Sequence, residues 1–191
     1  HNAVIENSDR FIGAVFINPA LGEAALTEID KAVNEWGFKA IKLHPLLHSY
    51  MTDSSLVDPI IEKSIEYDIP VFIHSGNEPL TLPWSFGRLA ERHTKAKIIM
   101  LHMGLTNTFY VEAAIEMAEA YSNIYLETSG MPYAYKLPNI INRIGDERIL
   151  FGLDTPFYHP SVEIQKIKTA QLSNTQLENI CYNNILTLLN S

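Results

Sequence analysis

Hydrophobic positions along the chain fall into six short, nearly continuous runs, at residues 11–17, 40–43, 71–74, 98–102, 124–126 and 149–153. Between them the apolar residues recur every three or four positions, as in Leu26, Ile29, Ala32, Val33 and Trp36, or Val111, Ala114, Ile115 and Ala118. The first pattern predicts strands buried on both faces and the second predicts amphipathic helices. Helices are expected over 24–36, 58–67, 86–93, 109–120, 139–144, 161–170 and 177–189. Gly37 stops the first, Asp58-Pro59 opens the second, Ser161 caps the sixth, and Ser173 with Gln176 forms a capping box before the last. Asn183 is expected to cap or kink that last helix. Residues 1–10 read as the end of a helix or a linker. Strand and helix alternate at roughly 30-residue spacing, which forces parallel pairing through right-handed crossovers. The predicted class is α/β, a parallel sheet of six strand-helix units in one domain over 1–191.

Composition narrows the function. Apolar residues make up 47% and charged residues 19% of 191, enough for a large core. The formal charge of -8, from 14 basic against 22 acidic residues, argues against a nucleic-acid partner. Cys181 is the single cysteine, so a cytoplasmic setting is expected, with the thiol buried beside Leu177, Ile180 and Ile185. No apolar run approaches the length of a membrane span, and no membrane partner is expected.

The chemistry sits where the strands end. The runs Ala40-Ile41-Lys42-Leu43-His44, Val71-Phe72-Ile73-His74, Ile98-Ile99-Met100-Leu101-His102 and Ile149-Leu150-Phe151-Gly152-Leu153-Asp154 each hand a polar group to the following loop. Residues two apart share a face of a strand. Lys42 is therefore expected to face with His44, Phe72 with His74, Met100 with His102, and Gly152 with Asp154. Three imidazoles and a carboxylate at one barrel mouth predict a divalent metal site. The following loops carry Tyr50, Trp84, Tyr133, Tyr135, Phe157 and Tyr158 with His48 and His159, a candidate aromatic wall for an organic ring. Glu127 is read first as a hydrogen-bond partner of a neighbouring loop, and second as a rim acid.

These motifs, with Gly37-Phe38-Lys39-Ala40-Ile41-Lys42-Leu43-His44-Pro45, Leu101-His102-Met103-Gly104, Asn123-Ile124-Tyr125-Leu126-Glu127-Thr128-Ser129-Gly130, Phe151-Gly152-Leu153-Asp154-Thr155-Pro156 and Asn183-Asn184-Ile185-Leu186, resemble the amidohydrolase superfamily. The likeness is to its amidohydrolase-related branch of metal-dependent TIM-barrel hydrolases and decarboxylases, and it runs through nearly the whole chain in order. The resemblance implies that His74 binds metal from the fifth barrel strand. It implies that His102 binds a second metal or sits beside the substrate, and that Asp154 ligates metal and handles the proton of the attacking water. Lys42, on the strand that carries a carboxylated bridging lysine in some binuclear members, is read as a structural or substrate-charge residue. His44, Trp84, Tyr133 and Phe157 complete the expected substrate contacts.

The resemblance implies an α/β fold, a parallel (β/α) barrel of TIM type with six of its eight strand-helix units present and the amino-terminal units missing. The His-x-His of the family's first strand has no counterpart here. Three explanations are open: a fragment of a longer protein, which is favoured; completion by another subunit or a homo-oligomer; or a member that has lost its metal. The expected activity is hydrolysis of a small amide, lactone or related carbonyl compound. Zn, or alternatively Mn, would activate a water, Asp154 would take its proton and His102 would polarise the carbonyl. The alternatives are non-oxidative decarboxylation and a non-catalytic barrel fragment.

Overall fold

The computed structural model describes residues 1–190. Six parallel strands form one sheet in sequence order: β1 (Ala14–Phe16), β2 (Ala40–Leu43), β3 (Val71–His74), β4 (Ile98–Leu101), β5 (Ile124–Glu127) and β6 (Ile149–Leu150). The helices are α1 (Asn2–Glu6), α2 (Glu23–Asn34), α3 (Pro45–His48), α4 (Asp58–Glu66), α5 (Pro83–Arg92), α6 (Thr108–Ala120), α7 (Leu137–Ile144), α8 (Pro160–Thr169), α9 (Asn174–Glu178) and α10 (Asn184–Asn190).

The strand register sorts the side chains into rows. Val15, Ile41, Val71, Ile98 and Ile124 are successive partners across five strands, and Leu43, Ile73, Met100, Leu126 and Ile149 form the next row on the same face. Both rows are buried in the main core with Ile29, Ile61, Phe86, Leu89 and Ile115 from the helices. This is the face that holds the fold together, because β-branched side chains fill it where the crossover helices lie down. The opposite face carries Phe16, Lys42, Phe72, Ile99 and Tyr125 in one row. It is covered differently. Ile185 and Leu188 of α10 pack onto a separate small cluster of Phe72, Ile99, Leu101, Tyr125 and Leu150.

Several expected boundaries move for identifiable reasons. The first run was expected to be strand over 11–17, but pairing begins at Ala14, and Phe11, Ile12 and Phe16 are exposed. β6 stops after two residues because the Phe151 amide donates to the Ile180 carbonyl of the final helical segment instead of to the sheet. That segment is not one helix. The Ser173–Gln176 capping box is present, yet a π-helical turn over Asn179–Asn183 separates α9 from α10. Asn184, given no structural role in the sequence beyond its place in the closing motif, donates to the carbonyls of Asp146 and Ile149 and fastens α10 to the sheet. Asp58 caps nothing, being taken up by Arg92 and His93 of α5 and the residue after it, while Ser54 caps the short turn before α4. His159, not Ser161, accepts from the first turn of α8. Cys181 is exposed, because the π turn rotates it away from the core.

Candidate active site

The carboxyl ends of the strands open onto a cavity of about 450 Å³ lined by Lys42, His44, His74, His102 and Asp154, with Glu78 and Phe157 at its rim. That volume lies within the range of small-molecule sites. Beneath it a second cavity of about 330 Å³ runs down the inner face, past Phe72, Leu101 and Leu150 to Ile185 of α10, and shares His102 and Asp154 with the first.

Lys42 and His74 reach the mouth by ordinary alternation, from the inner face of β2 and β3. His102 does not. Met100 lies on the helix-covered face, so the expected pairing of Met100 with His102 fails. β4 ends at Leu101, and His102 takes a left-handed backbone conformation, φ 64°, that swings its ring back to the mouth. Met103 and Leu105 follow with positive φ, and Asp154 beyond β6 has φ 49°. Four of the seven non-glycine residues with positive φ among the described residues thus lie in the two turns that present His102 and Asp154. Each such residue costs about 1–3 kcal/mol, and strain of this kind concentrates where side-chain placement matters. Gly104 closes the first turn at φ 88°, where a Cβ would stand 2.5 Å from the Tyr110 carbonyl.

The imidazoles are close. The rings of His44 and His74 stack with centroids 4.0 Å apart, and those of His74 and His102 meet edge-on at 5.0 Å. Burial pushes the His74 imidazole down to about 3, helped by His44, His102 and Lys42, and brings His44 down to about 4 with the same kind of neighbours. Burial also lowers the Lys42 ammonium to about 8, while Glu127 and Asp154 hold it up. His44 and His74 are therefore neutral at neutral pH, and Lys42 is mostly charged.

The donor chemistry suits a divalent cation. Nε2 of His74 is buried without a hydrogen-bond partner, a deficit an ion would relieve. His102 and Asp154 line the same cavity. Among the described residues, however, no three His, Cys, Asp or Glu side chains are gathered closely enough to hold an ion by themselves. Water or substrate oxygens would have to complete its shell, which suits Mn or Mg better than Zn with its usual three protein ligands.

Two expected substrate contacts lie elsewhere. Trp84, on the first turn of α5, packs on Phe109 and Tyr110 of α6, with ring centroids 5.6 and 6.0 Å away. The Tyr133 hydroxyl donates to the Thr106 carbonyl and its ring meets Tyr135, so it ties two loops together. Neither lines the mouth. Of the proposed aromatic wall only Phe157 and Tyr158 do so, while His48 and Tyr50 stack beneath with Phe16. The sequence reading missed Glu78 and Ser129. Ser129 could have been suspected from its place two residues beyond the end of β5.

Comparison with known proteins identifies the family and the fold. The family described as Amidohydrolase matches residues 2–190, and the chain belongs to it. Decarboxylase orsB of Emericella nidulans is 23% identical over 98% of this chain and 72% of its own length. The 2,6-dihydroxybenzoate decarboxylase from Rhizobium superposes with a TM-score of 0.80 at 18% identity, over 99% of this chain and 74% of its own. A dihydroxybenzoic acid decarboxylase from Polaromonas, solved with bound manganese and the inhibitor 2-nitroresorcinol, gives 0.77 at 19% identity over 99% and 72%. The fold is thus that of the TIM-barrel amidohydrolases, with six parallel strands accounting for about three quarters of the neighbours' length. No helix among the described residues is long and apolar enough to cross a membrane.

Proposed function

We propose that the chain carries the site of a non-oxidative decarboxylase acting on a small hydroxylated aromatic acid with the help of a divalent cation. The observation that carries this reading is the single cavity shared by a half-buried ammonium, Lys42, two neutral imidazoles and the Asp154 carboxyl. Support for decarboxylation over hydrolysis comes from orsB and from the two solved decarboxylases.

In this reading the bond between the ring and the carboxyl carbon breaks, carbon dioxide leaves, and the electron pair left on the ring carbon takes up a proton. Lys42 attracts the substrate carboxylate from the inner face of β2. Asp154 relays to the ring carbon a proton taken up from solvent, and His102 hydrogen-bonds a ring hydroxyl. Phe157 and Tyr158 cover the ring and limit water at the reacting carbon. His74 and Asp154 would hold the cation, with water or substrate oxygens completing its shell, and its chemistry would be to neutralise and orient the carboxylate. No electron acceptor is required.

The test is to incubate purified protein with Mn²⁺ or Zn²⁺ and a panel of hydroxybenzoates, amides and lactones, following carbon dioxide and product. Release of one carbon dioxide per acid consumed, lost in Asp154→Asn, supports the proposal. Ring-opened or deacylated product without carbon dioxide would return the hydrolase reading, and inertness in every arm would favour a non-catalytic role.

A further inference from the structure

Behind His102 lies a buried polar cluster that the proposed reaction does not use. Glu127 ends β5, and its carboxylate receives three donors. They are the His102 amide at 3.1 Å on Oε2, the Ser129 amide at 2.6 Å on Oε1, and the Ser129 hydroxyl at 2.8 Å on Oε2. His102, Glu127 and Ser129 are respectively 5%, 5% and 2% exposed, so water does not compete for these contacts. A hydroxyl has one proton, and that of Ser129 is committed to Glu127. What Ser129 Oγ offers the His102 ring, 2.8 Å from Nδ1, is therefore a lone pair. The Ser129 carbonyl oxygen stands 3.2 Å from the same nitrogen and is also an acceptor. Two acceptors converging on one ring nitrogen require a proton on it. Nε2 has no hydrogen-bond partner among the described residues, and His102 lines the mouth.

We propose that Glu127 and Ser129 are positioning residues that lock His102 in its Nδ1–H tautomer and so present Nε2 to the mouth as a lone-pair atom. The surroundings are built to keep the cluster rigid. A Cβ on Gly152 would fall 1.8 Å from Glu127 Oε1, so only glycine leaves room for the carboxylate without displacing it. Thr128 and Gly130, on either side of Ser129, are fastened to α8. The Lys166 ammonium donates to the Thr128 carbonyl and pairs with Glu163, whose Oε1 accepts from the Gly130 amide. The Ser75 hydroxyl donates to the Leu101 carbonyl and fixes the residue before His102. A fixed tautomer matters for any role of this ring, because an N–H and a lone pair make opposite demands on a substrate or an ion.

The inference concerns the resting protein and does not depend on the reaction proposed above, so either can fail alone. Its test is long-range ¹⁵N–¹H correlation on histidine-labelled protein, with the His102 signals assigned by their loss in His102→Gln. The neutral ring should show a protonated Nδ1 and a bare Nε2. In Glu127→Gln the new amide can donate to Ser129 and turn its hydroxyl toward the ring, and the Nε2–H form should rise to more than about half. Ser129→Ala, which keeps the backbone carbonyl, should shift the ratio less, and Ser129→Thr should restore the wild-type pattern. A wild-type ring protonated on Nε2 overturns the proposal. So does an unchanged ratio in folded Glu127→Gln, or, if that variant does not fold, identical ratios in Ser129→Ala and Ser129→Thr.

Discussion

The two faces of the sheet are made from the same strands yet obey different rules. On the helix side, Val15, Ile41, Val71, Ile98 and Ile124 line up in one row, are almost all β-branched, and are closed to solvent. On the inner side, the row beginning one residue later mixes Phe16, Lys42, Phe72, Ile99 and Tyr125, from half-exposed to fully buried. The first row is uniform because nothing but packing is asked of it. The second is uneven because its upper end must place charges and lone pairs around a cavity. Stability and chemistry are thereby assigned to opposite sides of a sheet one residue thick.

That division can be attacked directly. Asp154→Asn should leave the unfolding midpoint unchanged and lower turnover by about 10²–10⁴-fold in a carbon dioxide release assay. Lys166→Met probes a charged link between the helix layer and the site. Leaving Glu163 buried without its cation should cost about 3–5 kcal/mol in urea unfolding, whereas replacing both partners with apolar residues should restore most of the loss. Ile98→Ala should cost about 2–5 kcal/mol through the cavity it leaves on the packed face. Phe16→Ala, at a side chain 52% exposed on the inner face, should cost less than about 1 kcal/mol. If the two alanine variants cost the same, the contrast between the faces is wrong.

Acid should act through the mouth. His74 and His44 have folded values of about 3 and 4 against an unfolded value of 6.5, so the unfolded chain binds more protons in that interval. Stability is then complete above the unfolded value and falls as pH drops toward the folded ones. Urea midpoints at about pH 7 and pH 5 should differ in this direction, and His74→Gln should shrink the difference.

Most of the fold was legible because its strands are short, apolar and bounded by turn residues. β2 and β3 were placed residue for residue, and six parallel units followed from the alternation. The ends of elements were less legible. Phe151 continues an apolar run in the sequence, but its amide is claimed by Ile180, 29 positions downstream, which no local pattern reveals. At the site, His44, His74 and Asp154 were recognisable from position alone. His102 was identified for the wrong geometric reason, because strict alternation cannot anticipate a left-handed residue at a strand end. Trp84 and Tyr133 were misplaced since aromatic character marks a side chain that buries area without saying which neighbour it buries against. The acceptors behind His102 were only half visible: Glu127 was suspected of bonding to a loop, while Ser129 was given no role of its own.

The seating of α10 against the inner cluster has a consequence for biosynthesis. Ile185 and Leu189 floor a chamber whose walls draw on all six strands, so that floor is translated after every wall it meets. A nascent chain emerging from the ribosome can pair its strands and dress their outer side while the chamber still stands open below. The lower chamber is closed at its foot only when α10 arrives, so the last helix made is the one that completes it.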